Sequence, residues 1–376
     1  MVLAVTGGGS GAISSLLQTP GASSSVLAAV VPYSAAALRD WLRGTPDQAC
    51  SERTARAMAM AAFERARAFS DADPRALRGI GTTASLSTNR PKRGAHRIHV
   101  AWQSAQATAV YSVELIKDER TRAEEEVIAT QLVLRGAAIA CGIEREIGNV
   151  DSLRRNEKLQ HRKIDAPPEW TELLLGAHQG IVADLENLAP ATWKIADHDE
   201  REKTVMFAGA FNPVHEGHQR IAAMAAQRCG MPVTWELSIA NVDKLPLDFI
   251  EITNRLAGLK SRRVLLSRAA TFVEKATRTP GCTFAVGADT IERVGDLRYY
   301  GGDAARRDAA IMSIAKCGCR FLVFGRLLSG DFRGLKNLDL PPALRALCDE
   351  VPESEFRYDL ASSQIRSELK SGQSAD

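Results

Sequence analysis

The sequence predicts an α/β protein built from two α/β domains, and three observations support this fold class. The chain has 376 residues, which is long for a single hydrophobic core. Short apolar runs alternate with helix-like segments in both halves, as in layered α/β folds. Hydrophobic residues make up 45% and charged residues 25% of the chain, so neither a fibrous repeat nor extensive disorder is indicated. We predict domains at residues 1–147 and 204–376, joined by a connecting region at 148–203.

The first half alternates strands and helices from its start. Ser51 is a suitable helix N-cap before a long Ala- and Arg-rich segment, and two alternating apolar segments indicate a hairpin. The predicted elements are a strand at 2–5, a helix at 10–17, a strand within 26–33, a helix at 51–69, hairpin strands at 98–103 and 109–116, and a helix at 119–141.

The connecting region is dense in charge at 151–165, and we predict one short helix in it, near 173–185. The second half then has four strand-like runs interleaved with helices, at 204–208, 233–238, 283–286 and 319–324. Such alternation predicts a parallel sheet, with ligands at the carboxyl ends of its strands.

Charge and cysteine content exclude several classes of protein. The net charge is +3 without a long basic block, so we expect no nucleic-acid partner. No apolar run approaches the roughly 20 residues needed to cross a bilayer, so we expect no membrane insertion. Seven irregularly spaced cysteines suit a reducing compartment, and we therefore expect a cytoplasmic protein.

The segment Gly209-Ala-Phe-Asn-Pro-Val-His-Glu-Gly-His218 carries the clearest chemical pattern, because it follows the apolar run at 205–208 and opens a helix. Glycines there allow the backbone to approach a bulky anion, and free N–H groups at the helix start face it. His215 and His218 are three residues apart and so share one helical face. The segment predicts a phosphate site.

With Ala361-Ser-Ser-Gln-Ile-Arg366 about 150 residues later, this half resembles the HxGH superfamily of nucleotidyltransferases, especially the nicotinate and nicotinamide mononucleotide adenylyltransferases. The resemblance covers about residues 204–370 and implies a Rossmann-like parallel sheet. It also includes Gly287-Ala-Asp289, Asn241, Lys244 and Arg326. The family usually has serine at the position of Ala361 and threonine at that of Ser363.

The resemblance implies transfer of AMP from ATP to nicotinate or nicotinamide mononucleotide with release of pyrophosphate, in NAD metabolism. Mg²⁺ is expected to arrive with ATP, and no protein-built metal site is expected. The implied catalytic residues are His215, His218 and Arg366. The implied nucleotide-binding residues are Gly209, Ala210, Phe211, Asn212, Gly217, Lys244, Gly287, Asp289, Arg326, Ser362 and Ser363.

Two other functions remain open for this site. One is another HxGH nucleotidyl transfer, either adenylyl transfer to pantetheine phosphate or a cytidylyl transfer. The other is a non-catalytic nucleotide-binding or assembly protein.

The glycine-rich turn Thr6-Gly-Gly-Gly-Ser10 also follows a short strand and opens a helix. Together with Thr19-Pro-Gly-Ala-Ser23 and Val30-Val-Pro-Tyr-Ser34, it resembles the C-terminal domain of the competence-damage proteins over about residues 1–140. Active members of that family deamidate nicotinamide mononucleotide. The resemblance implies a second site, and its candidate residues are Thr6, Gly7, Gly8, Tyr33 and Ser34.

The first half departs from this family where the chemistry lies. Leu3-Ala4-Val5 replaces the usual Glu-Ser-Cys, and Leu38 replaces a lysine that is the expected base. We therefore expect either a nucleotide-binding or oligomerising domain, or a deamidase that uses other groups. The family often self-associates, so a homo-oligomer is expected. A basic loop at 82–94, followed by His96 and His99, is either a phosphate contact or a solvated loop.

Overall fold

The computed structural model describes residues 1–89, 94–143, 150, 152–185, 192–196, 203–328 and 331–358, and every structural statement below refers to these. They form two compact units, one comprising Met1–Leu175 with Asp243–Ile252 and the other Gly176–Val242 with Thr253–Asp376. Among the described residues, no helix has the length and apolar character that crossing a membrane requires.

The first unit contains alternating strands and helices. They are β1 (Val2–Thr6), α1 (Gly11–Leu17), β2 (Ala28–Val30), α2 (Ala35–Leu42), α3 (Glu52–Phe69), β3 (Gly79–Ser85), β4 (His96–Gln103), β5 (Ala107–Leu115), α4 (Arg122–Ala140), β6 (Gln160–Asp165) and α5 (Pro168–Leu175).

The described strands of this unit form one mixed sheet in the order β2-β1-β3-β4-β5-β6. β1 is parallel to β2 and β3, whereas the strands from β3 to β6 pair antiparallel. Alternate residues of β4 enter two different cores, as the period of a strand requires. Val100 lies in the cluster that includes Leu132 of α4, and Ala101 packs with Ala55 and Ala59 of α3. Helices therefore cover both faces of the sheet.

The remaining elements belong to the second unit, apart from residues 249–252 at the start of helix α7 (Phe249–Ala257), which belong to the first unit. They are β7 (Gly180–Asp184), β8 (Lys194–Ile195), β9 (Val205–Ala208), α6 (Glu216–Cys229), β10 (Val233–Ser238), α7 (Phe249–Ala257), β11 (Arg263–Ser267), α8 (Phe272–Arg278), β12 (Thr283–Gly287), α9 (Ala288–Gly295), α10 (Ala304–Lys316), β13 (Arg320–Phe324), β14 (Arg326–Leu328), β15 (Asp331–Arg333), α11 (Pro342–Arg345) and β16 (Cys348–Val351).

Within the described residues, the main sheet of this unit has the order β16-β13-β12-β9-β10-β11-β7-β8. The strands from β16 to β11 are mutually parallel, and β7 pairs antiparallel with β11. β9 lies between β12 and β10, in the interior of the sheet. The predicted fold class, two α/β domains with a Rossmann-like parallel sheet in the second, is confirmed.

Residues 243–252 leave the second unit and belong to the first. Asp248 accepts two hydrogen bonds from Nη1 of Arg56 on α3, at 2.6 and 2.5 Å. The backbone N–H of Phe249 donates to Oγ1 of Thr108 on β5 at 3.1 Å, and Ile250 is fully buried against Ala55 and Ala59. The segment is thus part of the core of the first unit.

The helix predicted near 173–185 is wrong. α5 ends at Leu175 because Gly176 adopts a left-handed φ of 91°, and the chain then forms strand β7, between β11 and β8. β7 pairs antiparallel with β11. The sequence patterns had indicated neither of these two strands. The region predicted to connect the domains therefore supplies β6 to one sheet and β7 and β8 to the other.

Candidate active site

A tight turn joins β9 to α6 at the carboxyl edge of the parallel sheet. Phe211 has a positive φ of 47°, and the Asn212–Pro213 peptide bond is cis. The carbonyl of Ala210 accepts a hydrogen bond from Nη1 of Arg255 on α7 at 3.2 Å. His215 has extended backbone angles and forms the N-cap of α6, so the helix begins at Glu216. The turn therefore places the start of α6, with both histidines, at the carboxyl edge of the sheet, where ligands bind in open α/β folds.

The space beside both glycines of this turn is filled by aromatic rings. A Cβ on Gly209 would lie 2.6 Å from the Phe211 ring, and one on Gly217 would lie 2.4 Å from the Tyr358 ring. Phe211 is only 2% exposed, and its ring packs on Phe207 and on Trp235, which fills the core. The described structure thus gives both glycines a packing role.

The two histidines are hydrogen-bonded through the backbone. The N–H of His215 donates to Nδ1 of His218 at 3.2 Å, and their ring centroids are 3.8 Å apart. Since Nδ1 of His218 accepts, its neutral ring carries the proton on Nε2. Burial, with a smaller effect of the His215 charge, lowers the pKa of His218 to about 4. His218 is therefore an uncharged hydrogen-bond donor at neutral pH.

A cation and a carboxylate lie beside this pair. Arg326 follows β13, Asp289 follows Gly287 at the start of α9, and Nη1 of Arg326 lies 3.1 Å from Oδ1 of Asp289. Burial and then the charge of Arg326 lower the pKa of His215. β9, β12 and β13 are parallel neighbours, so their carboxyl ends bring Arg326, Asp289 and the histidines to one edge.

Three predicted residues, Ser362, Ser363 and Arg366, lie outside the described residues. Lys244 is exposed and belongs to residues 243–252, which are grouped with the first unit.

Tyr358 contacts the candidate site, and the sequence patterns had not indicated it. Its ring lies parallel to the His215 ring, with centroids 5.8 Å apart and an interplanar angle of 7°. Tyr358 lies 143 positions after His215, so the contact between the two residues leaves no local pattern in the sequence.

The first unit holds a separate cleft of about 370 Å³ at the carboxyl end of β1. It brings together the predicted residues Thr6, Gly7, Gly8 and Tyr33, and it also includes Arg122 and Glu126 of α4. Ser34 instead caps α2, because its Oγ accepts a hydrogen bond from the N–H of Ala37 at 3.1 Å.

The glycine-rich turn of this cleft already holds a carboxylate from the protein. Glu126 accepts hydrogen bonds from the N–H groups of Gly9 and Ser10 at 2.9 and 2.7 Å, and from Oγ of Ser10 at 2.9 Å. Two of the donors that would face a bound phosphate are thus used internally. Leu38, at the position of the family's lysine, is buried in α2.

The histidines that follow the basic loop have internal partners. Nδ1 of His96 lies 2.7 Å from Oε1 of the buried Glu125, and Nδ1 of His99 lies 2.7 Å from Oγ of Ser112. Burial, with a smaller effect of Arg97, lowers the pKa of His99 to about 4. Residues 90–93 of the loop lie outside the described residues.

The described geometry defines an α/β protein with a histidine-, arginine- and carboxylate-lined site at the edge of a parallel sheet. No family model matches the chain. A curated protein of Gloeobacter violaceus, named probable nicotinate-nucleotide adenylyltransferase, is 28% identical over 187 residues. The match covers 46% of this chain and 85% of that protein, so it concerns less than half of the chain.

Proposed function

We propose that the second unit transfers the adenylyl group of ATP to a pyridine mononucleotide, with nicotinate mononucleotide as the first choice. The observation that carries this proposal is the meeting of His215, His218, Arg326 and Asp289 at the carboxyl edge of β9, β12 and β13. The similarity to the Gloeobacter protein supports the choice of acceptor.

The reaction depends on how the protein positions the two substrates, and it needs no covalent intermediate with the protein. A phosphate oxygen of the mononucleotide attacks the α-phosphorus of ATP and forms a new P–O bond. The bond from the α-phosphorus to the bridging oxygen breaks, and pyrophosphate leaves with that oxygen. No group is oxidised or reduced. Because the attacking phosphate is already a nucleophile, alignment and charge stabilisation determine the rate.

The described residues divide this work between a neutral donor and a cation. His218 offers Nε2–H to a phosphate oxygen without bringing a charge, since its pKa is about 4. Arg326 supplies positive charge close to His215, and its guanidinium can form two parallel hydrogen bonds to a phosphate. Asp289 holds Arg326 and has a second oxygen for a ribose hydroxyl or a substrate amide.

Residues beyond the described structure complete the proposal. Ser362, Ser363 and Arg366 would hold the β- and γ-phosphates, as the resemblance implies. Mg²⁺ would arrive with ATP and would supply positive charge against its phosphates. The described residues contain no group of three or more His, Cys, Asp or Glu side chains arranged to hold a metal ion.

A deamidase activity is not part of the proposal. Glu126 uses the N–H groups of Gly9 and Ser10, and the buried Leu38 replaces the expected base. For the first unit we keep the prediction of a nucleotide-binding or oligomerising domain. For the whole protein we propose a homo-oligomer and a cytoplasmic location.

The proposal is tested with the full-length protein, ATP and Mg²⁺, by following pyrophosphate release and dinucleotide formation. Nicotinate mononucleotide, nicotinamide mononucleotide and pantetheine phosphate are supplied in parallel, and CTP replaces ATP in a further reaction. Dinucleotide formation with a pyridine mononucleotide supports the proposal. A preference for pantetheine phosphate would change the assigned acceptor, and a preference for CTP would change the assigned donor. ATP binding without pyrophosphate release would indicate a non-catalytic nucleotide-binding protein.

A further inference from the structure

The Tyr358 ring covers the helix start that carries the histidine motif. It lies parallel to the His215 ring, and the missing side chain of Gly217 is what lets it approach the backbone, since an added Cβ would be 2.4 Å away. On α6, the Arg220 guanidinium lies 5.6 Å from the centre of the Tyr358 ring. Arg220 is itself paired with Glu216 at 2.5 Å. These contacts use the ring of Tyr358 and not its hydroxyl.

The chain that leads to Tyr358 is fixed at two earlier points. After β16 ends at Val351, Phe356 is buried against Phe324 at the end of β13, with ring centroids 5.1 Å apart. Glu355 forms an ion pair with Arg228 near the end of α6. Residues 352–358, which we call the C-terminal strap, are therefore attached to β13 and to both ends of α6.

We propose that Tyr358 is a positioning residue of the phosphate site, which fixes the His215 ring from the end of the C-terminal strap. The inference rests on the proposed adenylyl transfer. It assigns to Tyr358 no contact with the reacting atoms.

The contact with Tyr358 restricts the orientation of the His215 ring. If the Tyr358 ring were removed, the His215 ring would sample more orientations and would lose entropy when it is ordered against a bound phosphate. Its alignment with the phosphates would also be less exact, which slows a reaction that depends on positioning. ATP binding and turnover would both weaken as a result.

Three variants of the full chain distinguish the effect of losing the Tyr358 ring from that of losing its hydroxyl and from that of replacing any surface tyrosine. For Tyr358→Ala we expect KM for ATP to rise at least tenfold and kcat to fall several-fold. Tyr358→Phe keeps the ring, and it should rescue most of the loss. Tyr299→Ala is the matched control, because Tyr299 is a 42% exposed tyrosine of the same unit outside the site. Tyr358→Leu replaces the alanine variant if that variant fails to fold.

The pKa of His215 tests the contact between the Tyr358 and His215 rings without depending on catalytic turnover. Burial is the main cause of the lowered pKa of His215, so removing the ring should raise that pKa in an NMR titration, while Tyr358→Phe leaves it low. A double-mutant cycle adds Gly217→Ala. Its methyl group should damage ATP binding less in the Tyr358→Ala background than in the wild type, because the ring it meets is gone.

The outcomes distinguish this inference from the function on which it rests. An unchanged KM and pKa in Tyr358→Ala would overturn it, and so would a Tyr358→Phe variant as damaged as Tyr358→Ala. If the wild-type protein makes no dinucleotide with any acceptor, the proposed function fails. The His215 titration and ATP binding measured by calorimetry still decide whether Tyr358 positions the His215 ring.

Discussion

The backbone N–H of His215 donates a hydrogen bond to Nδ1 of His218, and this fixes which nitrogen of His218 carries its proton. The pKa of His218 is lowered from 6.5 to about 4. We therefore expect the His218 resonances to show the Nε2–H tautomer, unchanged from pH 8 down to about pH 5. An unfolded histidine takes up its proton near pH 6.5, so acidification from there towards pH 4 should also destabilise the folded state.

Nitrogen-15 NMR titration of the His218 ring measures its tautomer and its pKa. The His218→Gln variant identifies the resonances, because it removes them. Protonation of His218 between pH 6 and 7 would contradict the buried, neutral donor.

Removal of the His218 donor should slow catalysis without unfolding the protein. For His218→Ala we expect kcat to fall by about 10²- to 10³-fold, as for other donors that act on developing charge. Pyrophosphate release at saturating ATP measures the loss, and circular dichroism checks the fold. His178→Ala, at a histidine outside the site in the same unit, is the control. Near-normal turnover of His218→Ala would exclude a role on the phosphates.

Arg326 should control both ATP affinity and the protonation of His215. Its positive charge lowers the pKa of His215, so Arg326→Gln should raise that pKa and weaken ATP binding by about tenfold or more. Arg326→Lys keeps the charge and should keep the His215 pKa low, while it still loses the guanidinium geometry beside Asp289. NMR titration and calorimetry measure the two effects. An unchanged His215 pKa in Arg326→Gln would show that the charge does not act there.

Glu126 should stabilise the first unit through the glycine-rich turn. Glu126→Gln replaces a carboxylate that accepts three hydrogen bonds by an amide with one accepting oxygen. We expect a loss of about 1 to 2 kcal/mol in the free energy of unfolding, measured by urea denaturation. Glu114→Gln, at a side chain that is 63% exposed, should change stability little. Equal stability of the two variants would show that Glu126 is replaceable at the turn.

Arg56 should be far more important to stability than its neighbours on α3. Its side chain is 5% exposed and binds Asp248, which is 10% exposed. Arg56→Met would leave a buried carboxylate without its cation, and such losses typically cost about 3 to 5 kcal/mol. Arg53→Met is the control, because Arg53 pairs with Asp47 at 56% and 54% exposure. A second substitution, Asp248→Asn, should recover part of the loss. Similar urea midpoints for the two single variants would contradict this account.

Local sequence patterns predicted most of the regular structure because the residues that decide a helix or strand lie within it. Ser51 caps α3, as its hydroxyl accepts from the N–H of Thr54, and the alternating hairpin appears as β4 and β5. The error near residues 173–185 has the same local origin, since apolar residues of α5 and β7 together mimic one helix. Pairing with β11 and β8, which are distant in sequence or outside the segment, makes 180–184 a strand.

The geometry of the candidate site was predictable where its parts share a short segment or follow neighbouring strands. The histidines and the turn lie within ten residues, and Asp289 and Arg326 follow strands. Glu126 and Tyr358 escaped prediction because each meets its partner across more than a hundred residues. Nothing in the local sequence of Phe211 showed that its ring would be buried and would fill the space beside Gly209.

The return of residues 243–252 to the first unit affects how the gene can be divided. A single cut after Leu175 would leave an N-terminal fragment without Asp248 and Ile250, and a C-terminal fragment that exposes both. A chimera that exchanges the first unit for that of another protein must therefore also exchange an internal stretch of the second coding half. Recombination at one point would separate residues that fold together, so selection should keep the two halves inherited as one gene.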